Sequence, residues 1–381
     1  MTDGQKMLGD QGAFRGPAWV VPERRRGRGA TINPPNRYEG VQREADGDAI
    51  DAALQEGEVA PLPTMVTIER PRRIITRNDS PDVPFDRSIN PYRGCEHGCL
   101  YCYARPSHAY LGLSPGLDFE TKLIARPDAP ELLRRELARP GYRVAPIALG
   151  TNTDPYQPIE RRFRITRGIL RVCLETEHPV TIVTKSDRIL ADCDILSQLA
   201  VRRLVTVAIS VTTLDRGLAR LLEPRAATPM RRLAAIRTLA QAGVPVGVMV
   251  APVIPGLTDH GIEEVLQAAA EAGAQAAGWT LLRVPREVRD IFYAALTAYS
   301  PERARRVRSL LRAARGGRDN DPRFGHRMRG EGVYVALIAR RFALATRRLG
   351  LNQAPVRLET RRFRPPTPSP ADEDDQLSLF T

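Results

Sequence analysis

Short apolar runs alternate with longer amphipathic segments from residue 64 to residue 285. The apolar runs predict six β-strands, at residues 88–92, 146–150, 180–184, 204–211, 246–251 and 278–282. The amphipathic segments between them predict helices, at residues 129–138, 166–175, 192–199, 231–242 and 261–272. Two further β-rich runs lie upstream, at residues 66–68 and 74–76. Because nearly continuous apolar strands alternate with helices, we predict an α/β fold with a parallel sheet covered by helices.

The segments that flank this alternating region differ in composition. Residues 1–60 carry glycine, proline and charge with almost no apolar periodicity, which predicts a disordered arm with a basic run at Arg24-Arg25-Arg26-Gly27-Arg28. Residues 61–285 form the predicted α/β domain. Residues 286–360 are arginine-rich and helical in pattern, and we expect them to cap that domain. Residues 361–381 are proline-rich and then acidic, which predicts a flexible tail.

The balance of charge points to the class of partner. The 381 residues include 57 Lys and Arg against 44 Asp and Glu, a net charge of +13. This excess favours a nucleic-acid partner. The basic arm can bind phosphates without reading sequence, and the alternative is a solvated tail. There is no apolar run of about 18 residues and no recognisable signal peptide, so we expect no membrane span. Because the five cysteines do not suggest a disulfide framework, we expect a cytoplasmic protein.

Three of the five cysteines lie on one short loop with the spacing C-x3-C-x2-C, namely Cys95, Cys99 and Cys102. Three thiolates on such a loop can bind one face of a cubane iron–sulfur cluster, which usually takes four cysteines. Because the loop has no fourth cysteine, one iron would stay open for an exchangeable ligand. The alternative is a structural zinc site with His97 or His108 as fourth ligand. Zinc ligands normally come as two separated pairs, and the sequence has no second pair.

The wording around these cysteines, NPYRGCEHGCLYCYARPSHAY at residues 90–110, resembles the radical SAM enzymes, in the branch related to spore photoproduct lyase. The resemblance covers roughly residues 65–345 and implies a partial (βα)6 barrel. It also implies a [4Fe–4S] cluster on the three cysteines, whose open iron binds S-adenosylmethionine (SAM). One electron, from a donor such as flavodoxin or ferredoxin, then cleaves the sulfonium and yields a 5′-deoxyadenosyl radical.

Polar residues follow directly after each predicted strand, and ligands of α/β barrels collect at the C-terminal ends of strands. The resemblance implies that Thr153 and Asp154, after the second strand, meet the methionine end of SAM. It also implies that Lys185, after the third strand, contacts SAM, and its ammonium can pair with the carboxylate. Ser210 and Arg225 are expected to bind the ribose or the carboxylate. The alternatives are ordinary helix capping and, for Lys185, a solvated surface position. The sixth strand is followed by Leu282-Arg283-Val284-Pro285.

The chain departs from the photoproduct lyases at one position. Those enzymes carry a further cysteine after the second strand, which returns a hydrogen atom to the product radical, and here Thr151 stands in its place. A hydroxyl O–H bond is too strong for that role. Cys173 and Cys193 are expected to fill core space rather than to replace that cysteine. Tyr101 and Tyr103 remain as candidate catalytic residues with a redox role.

The C-terminal residues Gln376-Leu377-Ser378-Leu379-Phe380 resemble the peptide by which bacterial polymerases and repair proteins dock on the sliding clamp. Leucine and phenylalanine at a polar terminus need a pocket to fill, as a short linear motif does. The alternative is a tail that folds back on its own barrel. Together these features favour a radical SAM enzyme acting on DNA damage. One rival is a radical SAM enzyme that modifies RNA or a protein. The other is a non-enzymatic, clamp-tethered DNA-binding factor with a structural cluster.

Overall fold

The computed structural model describes residues 27–38, 62–354 and 356–367. The strands are β1 (Met65–Ile68), β2 (Ile75–Arg77), β3 (Arg87–Ile89), β4 (Tyr92–Arg93), β5 (Lys122–Ala125), β6 (Ile147–Leu149), β7 (Val180–Thr184), β8 (Val205–Ser210), β9 (Val246–Val253) and β10 (Ala276–Leu281). The helices are α1 (Asp118–Thr121), α2 (Ala129–Ala138), α3 (Glu160–Phe163), α4 (Ile165–Glu175), α5 (Cys193–Val201), α6 (Arg216–Leu222), α7 (Pro229–Gln241), α8 (Ile262–Glu271), α9 (Glu287–Tyr299), α10 (Pro301–Ala313) and α11 (Val333–Arg348). Short 3-10 helices lie at Arg105–Leu111, Asp187–Asp192 and Asp259–Gly261.

The main sheet has the strand order β10-β9-β8-β7-β6-β3-β2. Neighbouring strands from β3 to β10 in this order pair in parallel, and β2 adds an antiparallel edge. These six parallel strands of the described chain are the six strands that the apolar runs predict. The α/β fold class is therefore confirmed, with the helices between the strands covering the outer face.

The two faces of the main sheet carry side chains of different size. Val205, Val207 and Val248 are 0 to 3% exposed and belong to the core between the sheet and the helices. The alternate residues of the strands point to the inner face. Most of them are small, namely Ala148, Thr181, Thr206, Ala208 and Gly247, whereas Met249 is larger. Because these side chains do not fill the interior, the inner face lines a cavity of about 980 Å3.

The apolar positions of helix α4 are buried in the core, as their periodicity in the sequence predicts. Ile165, Ile169, Leu170 and Cys173 recur at helical spacing and are all buried against the sheet. Cys173 is fully buried, and Cys193 packs partly buried against the same core. The prediction that these two cysteines fill core space is confirmed.

A second, small sheet was not predicted. Its strand order is β1-β5-β4, and β4 leads directly into the cysteine loop. Strand β5 has the sequence KLIA, and its four residues follow immediately after α1. A run this short with a lysine at its start carries no recognisable strand periodicity, which explains why the sequence did not reveal it.

The segment at residues 286–360 is helical only in part, and one of its helices is not a cap. Ile338 and Phe342 of α11 belong to the main core, and the Phe342 ring lies 6.2 Å from that of Trp279 in β10. Arg341 of α11 pairs with Glu263 of α8 at 2.6 Å. Helix α11 therefore extends the outer helical layer beside α8, because its apolar stripe matches the neighbouring helix.

Part of the arm that we predicted to be disordered is packed. Ala30 and Ile32 are 0 and 2% exposed, and Arg28 donates to the Glu120 carbonyl at 2.9 Å. The prediction was therefore wrong for residues 27–38, because partners distant in sequence replace the apolar periodicity that this segment lacks. Residues 24–26 of the basic run and residues 376–380 lie outside the described residues, so their roles stay predictions. No helix in the described ranges is long and apolar enough to cross a membrane.

Candidate functional site

The cysteine loop places its three thiols inside the protein. Cys95 and Cys99 are 6 and 9% exposed, and Cys102 is partly buried. The Cys102 N–H donates to the Cys99 carbonyl at 3.2 Å, which closes a tight turn between the two ligand positions. Gly98 has a φ of +67°, and a Cβ there would lie 2.8 Å from a carboxylate oxygen of Glu120. The turn therefore requires glycine at this position.

A buried ion pair fixes the shape of this loop. Arg105 and Glu120 are both fully buried, with 2.6 Å between the guanidinium nitrogen and the carboxylate oxygen. The guanidinium also donates to four backbone carbonyls at 2.8 to 3.1 Å, those of Gly98, Cys99, Pro115 and Gly116. Arginine suits this position because its rigid fork of five N–H donors can satisfy several acceptors at once. The Arg105–Glu120 pair therefore holds the backbone of the cysteine loop.

Residues 27–38, the N-terminal strap, cross the same loop. Two consecutive backbone N–H groups, those of Gly29 and Ala30, each donate to the Glu120 carboxylate at 2.8 Å. The contact is close enough that a Cβ on Gly29 would lie 1.9 Å from the Gly98 carbonyl oxygen. The strap therefore covers the cysteine loop and is attached to it through the same carboxylate that pairs with Arg105.

The spacing of the sulfur atoms bears on the zinc alternative. Among the described residues, three metal-binding atoms all lie within 4.8 Å of one another only at Asp321, His326 and Glu331, so at least two of the three cysteine sulfurs are more than 4.8 Å apart. Two sulfurs on one zinc ion lie at most about 4.6 Å apart, because each Zn–S bond is about 2.3 Å. His97 instead faces Asp154 at 3.4 Å, and His108 bonds the Lys122 carbonyl at 2.9 Å. This arrangement therefore does not fit one zinc ion held by all three thiols together with His97 or His108.

Charges of both signs act on the three thiols. Burial raises the pKa of all three cysteines, and the negative charges of Asp154 and Glu223 raise the pKa of Cys95 and of Cys99 further. The positive charges of Lys185 and Arg232 act in the opposite direction on the pKa of Cys99, and Arg105 does so for Cys102. Because iron binds the thiolate, these cations support the charge that cluster binding requires.

Lys185 lies above the aromatic residue of the cysteine motif. Its ammonium nitrogen is 5.7 Å from the centroid of the Tyr101 ring. The Tyr101 hydroxyl donates to Glu223, which forms an ion pair with Arg232, and both charged groups are 1% exposed. Burial raises the pKa of Glu223, but the charges of Arg232 and Lys185 outweigh it and lower the pKa to about 2. Tyr101 is thus held in place by a buried carboxylate, and its hydroxyl is not free to reach a substrate.

Asp154 is an anchor for the strand end that carries Lys185. Its carboxylate accepts from the Lys185 N–H at 2.8 Å and from the Thr184 hydroxyl at 2.6 Å. Burial raises the pKa of Asp154, but His97 and these hydrogen bonds outweigh it, and the pKa falls to about 2. The Thr153 hydroxyl donates to the Tyr92 carbonyl at 2.9 Å. Both side chains are committed to protein partners, and their direct contact with SAM stays a prediction.

Ser210 and Arg225 also lie near the cysteine loop. Ser210 is 3% exposed at the end of β8, and its carbonyl accepts from Arg232 at 2.9 Å. The Arg225 guanidinium pairs with Glu96 of the cysteine loop at 3.1 Å, and its N–H donates to the His97 carbonyl at 3.2 Å. The structure therefore joins both residues to the loop, and their binding to SAM stays a prediction.

Tyr103 connects the cysteine loop to the barrel cavity. Its side chain is 50% exposed, and its hydroxyl donates to the Thr151 carbonyl. Tyr103, Thr151 and Met328 line the end of the cavity near the C-terminal ends of the strands, which we call the cavity mouth. The two tyrosines of the motif thus differ, since Tyr103 borders the open interior and Tyr101 is buried. A large reactant that enters the cavity would meet Tyr103 first.

Sequence reasoning missed the residues that build the loop. Arg105 lies three positions after Cys102 within the motif, and this position was its only signal. Glu120 and Gly29 carried no signal, because their contacts join segments about 90 residues apart. Glu223 followed a predicted strand, but its bond to Tyr101 spans 122 residues.

Comparison with known proteins gives one family and several relatives. The Radical SAM superfamily matches residues 89–269. An uncharacterized protein of Mycobacterium tuberculosis is 39% identical over 232 residues, covering 60% of this chain and 68% of that protein. One of Methanocaldococcus jannaschii is 27% identical over 171 residues, covering 45% and 61%. A solved point mutant of spore photoproduct lyase has a TM-score of 0.50 at 15% identity, covering 80% of this chain and 90% of that one. At this identity the likeness concerns the fold alone.

Proposed function

The chain belongs to the radical SAM superfamily, and on that premise we propose that it is a radical SAM enzyme acting on damaged DNA. The superfamily uses a [4Fe–4S] cluster and SAM, which together supply a 5′-deoxyadenosyl radical when bound. The observation that carries the proposal is the cavity of about 980 Å3 that opens beside the cysteine loop. Its volume is at the upper end of ordinary ligand pockets, which suits a reactant of nucleotide size.

Residues of this chain have distinct parts in the proposed reaction. Cys95, Cys99 and Cys102 would hold the cluster, and the Lys185 ammonium would pair with the SAM carboxylate. Asp154 keeps its negative charge at neutral pH because its pKa is about 2, and it fixes the backbone at Lys185. The small side chains of the inner face leave room for the reactant.

The proposed reaction needs a group that returns a hydrogen atom to the product radical. Thr151 stands where the photoproduct lyases have a cysteine, and only its carbonyl contacts Tyr103. A phenol O–H bond is weaker than an aliphatic alcohol O–H bond. We assign the redox role to Tyr103 rather than to Tyr101, because Tyr103 borders the cavity and Tyr101 is held by Glu223. The surroundings of Tyr103 hold its pKa above the ordinary value of about 10, so the phenol keeps its hydrogen at neutral pH.

DNA is favoured as the substrate by charge and by the tail. The net charge of +13 suits a polyanionic partner. The Gln376-Leu377-Ser378-Leu379-Phe380 peptide would dock on the sliding clamp and raise the local concentration of the enzyme at the duplex. A cytoplasmic flavodoxin or ferredoxin would supply the electron.

The test is the dependence of SAM cleavage on nucleic acid. Reconstituted protein is reduced anaerobically with SAM and with ultraviolet-irradiated DNA, intact DNA, RNA or no addition, and 5′-deoxyadenosine is quantified. We expect irradiated DNA to increase the yield above that with intact DNA. Stimulation by RNA alone would support the rival in which the enzyme modifies RNA, and the absence of stimulation by any nucleic acid would contradict the proposal.

A further inference from the structure

Arg283 follows β10, lies beside two residues of the cavity mouth and has no strong partner. Its guanidinium carbon lies 5.8 Å from the centroid of the Tyr103 ring, and its Nη1 lies 3.5 Å from the Met328 sulfur. A thioether sulfur is only a weak acceptor. The Nε of Arg283 is buried without a hydrogen-bond partner. This guanidinium is therefore largely removed from water and still has unused donors.

The carboxylates near Arg283 are already used. No ion pair within 4.0 Å joins Arg283 to a carboxylate of the described residues. Asp82 lies near enough to act on its charge, but Asp82 pairs with Arg327 and accepts from the Gly325 N–H at 2.6 Å. The charge of Asp82 is thus neutralised by a different arginine.

A second arginine near Arg283, Arg315, also has a buried Nε without a hydrogen-bond partner. Arg315 is 1% exposed, and it donates to the carbonyls of Leu282 at 2.9 Å and His326 at 3.0 Å. Burial and the positive charge of Arg283 lower the pKa of Arg315 to about 10. Asp321 acts on the charge of Arg315, but its carboxylate pairs with Arg323 at 2.7 Å. Two neighbouring cations whose nearby carboxylates pair with other arginines are unfavourable in a protein interior unless an anion joins them.

We propose that Arg283 binds a backbone phosphate of the nucleic-acid strand whose damaged base enters the cavity. This inference rests on the proposed function and adds the contact that positions the strand. The cavity is lined mainly by apolar and small side chains, which suit a base. The Arg283 guanidinium lies beside Tyr103 and Met328, two residues of the cavity mouth, where the backbone of the strand would remain. A guanidinium is suited to phosphate because its planar fork can donate two parallel hydrogen bonds.

The test uses the full-length, cluster-reconstituted protein and a short single-stranded oligodeoxynucleotide followed by fluorescence anisotropy. A series of the same oligonucleotide carries one neutral methylphosphonate linkage at each successive position. The variants are Arg283→Gln, Arg283→Lys and, as matched control, Arg329→Gln, which removes an exposed arginine from the loop that carries Met328. Iron content and the far-ultraviolet circular dichroism spectrum show whether each variant is folded, and affinity for SAM is measured separately.

We expect Arg283→Gln to weaken binding roughly ten- to hundredfold, as for the loss of a charged hydrogen bond. At one linkage, the methylphosphonate should weaken binding of the oligonucleotide to the wild-type protein by the same factor. At that linkage it should leave binding to Arg283→Gln unchanged. Arg283→Lys should show an intermediate loss at that same linkage, and Arg329→Gln should change affinity by less than about twofold. If Arg283 had a purely structural role, no single methylphosphonate linkage would weaken the wild-type protein and leave Arg283→Gln unaffected.

Three results would overturn the proposal. If wild-type protein binds the oligonucleotide and Arg283→Gln binds it equally well, Arg283 does not contact phosphate and the proposed function stands. If Arg283→Gln loses affinity for SAM but not for the oligonucleotide, the anion is the SAM carboxylate. If wild-type protein cleaves SAM but does not bind nucleic acid at low salt, the proposed DNA function fails, and the phosphate contact fails with it.

Discussion

Replacing Glu120 by glutamine tests whether one carboxylate joins the N-terminal strap to the cysteine loop. Glu120 is fully buried and accepts three hydrogen bonds, from Gly29, Ala30 and Arg105, at 2.6 to 2.8 Å. Glutamine preserves the shape of the side chain but removes its charge. One of its two terminal atoms becomes a donor and can no longer accept from these groups.

The expected loss of stability in Glu120→Gln follows from the burial of the Arg105–Glu120 ion pair. Arg105 is 0% exposed, so Glu120→Gln leaves a guanidinium charge in the interior without its counter-ion. Breaking a buried pair in this way costs about 3–5 kcal/mol. The matched control is Glu131→Gln, because Glu131 pairs with Arg134 at 3.3 Å on the surface, where an ion pair contributes less than about 1 kcal/mol.

The assay is equilibrium unfolding in denaturant, together with the rate at which reconstituted protein loses iron to a chelator. We expect Glu120→Gln to lower the free energy of unfolding by about 3–5 kcal/mol and to release iron faster, whereas Glu131→Gln changes neither appreciably. If Glu120→Gln unfolds within about 1 kcal/mol of the wild-type protein and retains iron equally long, Glu120 does not hold the loop.

Three further predictions concern the cofactor site, a buried histidine and the tail. Lys185→Ala should weaken SAM binding roughly ten- to hundredfold without loss of iron, because it removes a charged contact; an unchanged dissociation constant would return Lys185 to a surface role. Burial lowers the pKa of His178 to about 4, so this histidine is neutral in the folded protein. Because the unfolded pKa is about 6.5, its contribution to the free energy of unfolding is complete above that pH and falls by about 3 kcal/mol as the pH is lowered to 4. His178→Phe should remove that component from the pH dependence of the free energy of unfolding, and an identical pH dependence would refute it. Deletion of residues 376–381 should abolish co-elution with the sliding clamp and leave SAM cleavage on free substrate unchanged, and continued co-elution would show that the tail is not the docking peptide.

The barrel was predictable because its signal is local. Strand β7 (Val180–Thr184) is an apolar run with the predicted bounds, and α2 (Ala129–Ala138) likewise has the predicted bounds. The cysteine loop was recognisable because three cysteines lie within eight residues. Such features need only the spacing of neighbouring residues, which the sequence contains directly.

The support of the site was not predictable because its contacts are distant in sequence. The strap has the glycine and charge content of a disordered segment, but two of its N–H groups bind a carboxylate about 90 residues away. Lys185 could be proposed from its place after a strand, whereas its position over the Tyr101 ring depends on packing across the barrel. Helix α11 was placed wrongly because an apolar stripe does not say which neighbouring helix it covers.

The most direct test of the central claim is the iron content and SAM cleavage of the anaerobically reconstituted protein. We expect the wild-type protein and the control Cys193→Ala to hold one [4Fe–4S] cluster and to form 5′-deoxyadenosine after reduction, because Cys193 packs against the core away from the loop. Alanine at Cys95, Cys99 or Cys102 should abolish the reduced-cluster EPR signal and the cleavage. A triple alanine variant that still holds stoichiometric iron and cleaves SAM would contradict the assignment of the cluster to this loop.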